Sequence, residues 1–180
     1  MMFALLYDPL SEIRAVKHPS YSKVLLYLLT SVLFATVGVF FFLWRFLEPT
    51  TANAVSYVLF FLFGSLGALL VTSFFLSVAL HVLDGKGGFY EGLAMVVLSA
   101  VAPSVMVFFA GAAAFIPFGL AASVLLLAFG CVLGAATFFR AGKELFELDY
   151  AGVFIGLLIA SMPFVCASLM WWLSKVSIIQ

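Results

Sequence analysis

Residues 81–103 read HVLDGKGGFYEGLAMVVLSAVAP, and the architecture is decided here. A polar turn, Asp84-Gly85-Lys86-Gly87-Gly88, separates an uncharged run ending near Leu80 from another that starts at Gly92. Half of the stretch recurs 60 residues later. Tyr90, Gly92, Leu98, Ala100, Pro103 and Val105 are matched without a gap by Tyr150, Gly152, Leu158, Ala160, Pro163 and Val165. Gly85-Lys86-x-x-Phe89 has a further echo in Gly142-Lys143-x-x-Phe146. Leu, Ala and Val coincidences carry little weight in an apolar chain. The shared register Tyr-x-Gly, ten residues, then Pro carries more. Fixed-period repeats govern architecture, so an internal duplication is expected, residues 54–115 against 119–173.

Composition defines the surroundings of that repeat. Of 180 residues, 66% are hydrophobic and 9% charged, and mean hydropathy is +1.29. A soluble domain carries about 25% charged residues, so the chain is expected to be integral to a membrane. Eight basic and eight acidic residues cancel, which leaves no global positive field for nucleic acid. Membrane lipid is the first expected partner. Cys131 and Cys166 lie inside apolar runs and read as small buried hydrophobes.

Five uncharged segments each reach the roughly 20 residues a hydrocarbon core requires: about 24–44, 54–80, 92–115, 119–139 and 152–173. Only helices and closed barrels satisfy every backbone group in lipid. The expected fold is therefore all-α, a polytopic bundle of five transmembrane helices in one domain, residues 1–180. The second segment exceeds the membrane thickness and is expected to tilt or project. Pro117-x-Gly119 breaks the long run between segments three and four. Arg140–Glu144 and Lys143–Glu147 are spaced i, i+4, which predicts a helical extension of segment four into water.

Residues 1–20 predict a short amphipathic helix at the membrane interface. Asp8 caps it, Pro9 takes the first helical position, and Leu6, Leu10 and Ile13 share a face. Counting Lys and Arg on alternate sides gives Arg14, Lys17, Lys23, Lys86, Arg140 and Lys143 against Arg45 and Lys175. The positive-inside bias predicts a cytoplasmic N-terminus and an external C-terminus. Both hairpins then turn on the cytoplasmic side, as parallel repeats related by an axis along the membrane normal.

Small residues at four-residue spacing predict close helix contacts: Gly130-x-x-x-Gly134, Gly152-x-x-x-Gly156 and Gly64-x-x-x-Ala68. Such faces serve packing within the bundle or a homo-oligomer contact. Pro103 and Pro163 each remove a backbone donor and are expected to kink their helices, freeing the carbonyls of Ser99 and Ile159.

Chemistry is sparse. The spans hold no Asp, Glu, Lys, Arg or His at depth, where an ion-coupled transporter or proton relay places such groups. Gly85-Lys86-Gly87-Gly88 fails the phosphate-loop pattern, with Leu80 at the first Gly and Gly87 at the Ser/Thr; a flexible turn is expected. His81 and Asp84 form a helix-end polar pair, with only Glu91 near as a further metal ligand. No nucleophile elbow or Ser/His/Asp set accompanies the serines. The expectation is no enzyme and no cofactor.

Asp84-Gly85-Lys86-Gly87-Gly88-Phe89, Leu93 and Pro103 together resemble the glycine-lysine-glycine turn and proline-bearing span of the Yip family, the Ypt/Rab-interacting five-span membrane proteins. Tyr7-Asp8-Pro9 through Lys17-His18-Pro19 is similar to the start of its prokaryotic branch. The resemblance covers nearly the whole chain. It implies five spans, a cytosolic N-terminus, a prokaryotic cytoplasmic membrane, and neither catalysis nor a cofactor. Eukaryotic members are implicated in membrane traffic and in Rab GTPase binding through a long cytosolic N-terminal region. About 20 residues precede the first span in this chain. Two functional readings follow: a non-catalytic organiser that recruits a membrane or cytosolic protein through Asp84–Phe89, Arg140 and Lys143, or a passive permeation or lipid-translocating protein.

Overall fold

The computed structural model describes residues 9–17, 21–47 and 51–176, and among them there are no strands. Six helices follow in order: α1 Pro9–Lys17, α2 Tyr21–Leu47, α3 Thr51–Val82, α4 Phe89–Ala113, α5 Gly119–Phe146 and α6 Tyr150–Val176. Five are long and apolar enough to cross a membrane; the chain is an all-α integral membrane protein. The expected over-long second span is α3, with 32 residues. The extension of segment four is present too, since α5 runs on to Phe146.

The helix ends follow from local chemistry. α3 stops where Asp84 enters the left-handed region at φ 63°, a conformation Asp tolerates better than most side chains. The Gly85 N–H donates back to the Leu80 carbonyl at 3.0 Å. α5 ends likewise at Glu147, φ 57°. Carboxylates then restart the chain. Glu91 Oε2 accepts the Gly88 N–H at the start of α4, and Asp149 Oδ1 accepts the Gly152 N–H at the start of α6, both at 2.7 Å. Each satisfies one of the donors a helix N-terminus leaves open. The Gly-Lys echo does not survive as two loops: Gly85-Lys86 lies in a turn, whereas Gly142-Lys143 lies inside α5.

α4 is the axis of the bundle. It packs most extensively on α5 and α2, then on α3, while α6 leans more on α3 than on α5. Lipid tails are as apolar as Leu, so no hydrophobic force draws spanning helices together; close packing and hydrogen bonds do. Glycine sets how close they come. A Cβ on Gly38 of α2 would lie 2.6 Å from the Val107 carbonyl and the Phe108 nitrogen of α4. One on Gly111 of α4 would meet the Gly38 carbonyl. Thr36, Ser73, Ser77, Ser99 and Thr137 turn their hydroxyls onto carbonyls three or four residues back, which hides them from hydrocarbon. Ser31 Oγ is buried without a partner. The carbonyl one turn before it, on Tyr27, already accepts Thr30 Oγ1 at 3.0 Å.

Three expectations are corrected. Gly64 of α3 has nothing within 4 Å and Ala68 is exposed, so that small-residue face opens outward instead of meeting a neighbour within the bundle. Cys131 and Cys166 are exposed on the outer face, not buried. The interfacial helix is docked into protein: Ile13 and Val16 are both 0% exposed and belong to one core cluster with Val24, Tyr27, Leu145 and Phe146. Leu6 and Asp8 lie outside the described residues.

Docking rests on more than apolar burial. Tyr27 Oη donates to Glu12 at 2.8 Å and Tyr90 Oη to the Val16 carbonyl at 3.3 Å, while Arg14 pairs with Glu144 at 3.7 Å. Because protein covers the Ile13 and Val16 side of α1, its backbone amides are expected to stay protected from hydrogen exchange in detergent. Ile13→Ala is expected to cost about 2–5 kcal/mol by thermal unfolding. Free exchange of α1 once the bilayer is removed would return the helix to the membrane surface.

Candidate functional site

Every described carboxylate, from Glu12, Asp84, Glu91, Glu144, Glu147 and Asp149, lies at the end of the bundle where α1 sits. This charged end joins the two turns that the sequence singles out. The Lys86 N–H donates to the Phe146 carbonyl at 3.1 Å, taking one of the acceptors that a helix C-terminus leaves open. Lys86 Nζ lies 2.8 Å from Glu147 Oε2, and Glu147 holds the lysine above its ordinary pKa through this bond and its charge. The pair is largely exposed, with side chains 77% and 43% accessible; it orients the turn and contributes little to stability.

Apolar packing does more. The Phe146 ring is fully buried beneath the turn. A Cβ on Gly87 would lie 2.7 Å from Phe146 Cδ1, and one on Gly85 would lie 3.1 Å from the same atom and 2.7 Å from the Leu80 carbonyl. Gly85 and Gly87 are therefore small because an aromatic ring occupies the space where side chains would go. The expected flexible turn is a latch, clamped to the end of α5. Its amide and ammonium are committed to Phe146 and Glu147, an arrangement unlike a phosphate cradle.

Around the latch, Asp84, Gly88 and Phe89 are exposed, as are Arg140 and Lys143 on the last turns of α5. Lys143 Nζ sits 5.1 Å from the centre of the Tyr150 ring, a cation–π contact that ties α5 to α6. Glu144 and Glu147 pair across elements, with Arg14 and Lys86; the sequence suggested Arg140 and Lys143, their neighbours one turn away. The outcome is one charged platform built from α1, the 83–88 turn and the 147–149 turn. Among the described residues no cluster of His, Cys, Asp or Glu has the makings of a metal site.

The remaining candidates lie in the spans. Gly130 and Gly134 press α5 onto α4 at Pro103: a Cβ on Gly134 would be 2.6 Å from the proline ring and 3.0 Å from the Ser99 carbonyl. The carbonyl that Pro103 leaves without its helical donor thus faces Gly134 of α5. Gly156 of α6 rests on Leu80 and Leu83, whereas the nearest neighbours of Gly152 are Asp149 and Leu148 of its own turn. Pro103 is half-buried and Pro163 exposed, and both α4 and α6 continue through their prolines. Beside Pro103 an apolar cavity of about 330 Å³ opens between α5 and α6, lined in part by Ser99, Cys131, Phe138 and Leu157.

Sequence reasoning placed α1 at this end but missed its docking into the bundle. It also missed Phe146, whose only sequence signal is its place in the Gly-Lys-x-x-Phe echo. Compared with protein-family models, with curated proteins and with solved structures, the chain matches none of them.

Proposed function

We propose that this integral membrane protein is a non-catalytic, prokaryotic Yip-type protein of the cytoplasmic membrane. Its charged end faces the cytoplasm and recruits a membrane or cytosolic protein partner. The observation that carries the reading is the platform itself: three separate polar segments are tied to one another by Lys86, Phe146, Glu144 and Arg14. A rigid polar surface of this kind presents fixed contacts, which lowers the ordering cost of binding. The orientation rests on six basic residues at this end against two at the other, and the family reading rests on the Asp84–Phe89 turn and Pro103.

The test places a photo-crosslinking side chain at Phe89 or Arg140, with Phe118 at the opposite end as control, in intact cells. Discrete adducts are expected from the first two positions and not from Phe118, and Lys143→Glu is expected to reduce them. In a background free of Cys131 and Cys166, His81→Cys is expected to be labelled from the cytoplasm and Phe118→Cys from outside; the reverse would overturn the orientation. If the charged end captures nothing while labelled lipid flips faster in proteoliposomes, recruitment fails. The passive lipid pathway then stands, supported by the apolar Pro103 cavity, whose lining suits acyl chains and not hydrated ions.

A further inference from the structure

The end of the bundle away from the charged platform carries a different feature. Phe40, Phe41 and Trp44 from the last turns of α2, with Phe115 just beyond α4, line a cavity of about 410 Å³. That volume lies within the roughly 300–1,000 Å³ typical of small-ligand sites. The rings form a row: Phe115 stands edge-on to Phe41 at 6.1 Å, Phe41 lies 6.4 Å from Phe40, and Phe40 lies 5.6 Å from Trp44. Neighbours are inclined at 84°, 48° and 46°, so the rings of the lining do not share one plane.

An aromatic face is negative and attracts a cation whose centre comes within about 6 Å of the ring centroid; quaternary ammonium groups, which cannot hydrogen-bond, are the cations such boxes favour. Among the described residues no carboxylate lies at this end of the bundle, and the cation seen over a ring is Lys143 on Tyr150, at the other end. Arg45 follows Trp44 and is exposed. A guanidinium one residue from the cavity's Trp44 is the group with which a phosphate joined to the ammonium would pair. Trp44 in the last turn of a spanning helix also suits headgroup depth, where amphipathic rings concentrate.

We propose that the box of Phe40, Phe41, Trp44 and Phe115 binds the quaternary ammonium of a phosphocholine-type lipid headgroup, with Arg45 serving its phosphate. The site is independent of partner recruitment at the charged end.

The test uses the full chain with Trp171→Phe and Trp172→Phe, which leaves Trp44 as the single tryptophan of the three. In maltoside detergent its emission is followed while short-chain phosphatidylcholine, phosphatidylethanolamine or phosphatidylglycerol with identical tails is added. A saturable change at least about tenfold tighter for choline is expected, with competition by tetramethylammonium. Phe115→Leu keeps an apolar side chain but removes a π face; it is expected to weaken choline-lipid binding about fivefold or more and leave phosphatidylglycerol unaffected. Phe40→Leu is the second variant if the first does not fold. Equal affinity for the three headgroups, indifference to both leucine variants, or no response of Trp44 would overturn the proposal and leave an apolar groove for lipid tails.

Discussion

Phe146→Ala is expected to lower stability by about 3–5 kcal/mol, measured by thermal unfolding in detergent, and to release the 83–88 turn from the end of α5. The ring is fully buried and belongs to the cluster that also holds Ile13, Leu80, Met95 and Val153. Its loss therefore loosens α1, α3, α4, α5 and α6 together. A double-mutant cycle with Gly87→Ala gives the sharper measurement. Alone, Gly87→Ala drives a methyl to 2.7 Å from Phe146 Cδ1 and 2.8 Å from Cε1, overpacking that costs about 1–3 kcal/mol. With the ring removed, most of that penalty is expected to vanish. Strictly additive effects would mean that Gly87 is small for some reason other than Phe146.

Gly38→Val is expected to be more damaging still, with little folded, monodisperse protein recovered. The collision is with backbone: the first added carbon already lies 2.6 Å from the Val107 carbon and oxygen and the Phe108 nitrogen. A side chain can swing aside, but a helix backbone in the middle of a packed pair cannot, so α2 must separate from α4. In lipid nothing compensates for that separation, because contact closeness is the main attraction between the helices. Gly64→Val and Gly67→Val on α3 are the matched controls. Nothing lies within 4 Å of either, and both are expected to stay within about 0.5 kcal/mol of the parent. Size-exclusion profiles after a heating series would compare all three. Equal tolerance at Gly38 and Gly64 would rule out the close α2–α4 approach.

The contrast between these glycines shows where sequence reading stops. Gly64 belongs to a four-residue small-side-chain pattern and faces open space, whereas Gly38 and Gly111 belong to none and bring the backbones of α2 and α4 together. A spacing motif records that one helix face is small; it carries no information about which helix stands opposite. The charged pairs behave in the same way. Arg140–Glu144 and Lys143–Glu147 satisfy the helical neighbour rule, but Glu144 and Glu147 reach Arg14 and Lys86, because folding delivers cations to them from α1 and from a turn far away in sequence. An amphipathic stripe is equally ambiguous. The apolar side of α1 suits a membrane surface as well as a protein groove, and Tyr27, Glu144 and Tyr90 decide for the groove.

What the sequence determined unaided is what the bilayer enforces locally. The number of spans, the helical class and the breaks at Asp84–Gly88 and Ile116–Phe118 all follow from one requirement. Every backbone group in hydrocarbon must be satisfied within its own segment, so apolar length and turn residues suffice to read them. The latch on Phe146, the docking of α1, the glycine contact of α2 with α4 and the aromatic box were decided by tertiary structure alone. Each depends on residues that a one-dimensional pattern cannot bring together, since in a medium as apolar as the side chains themselves, shape and not hydrophobicity selects the neighbour.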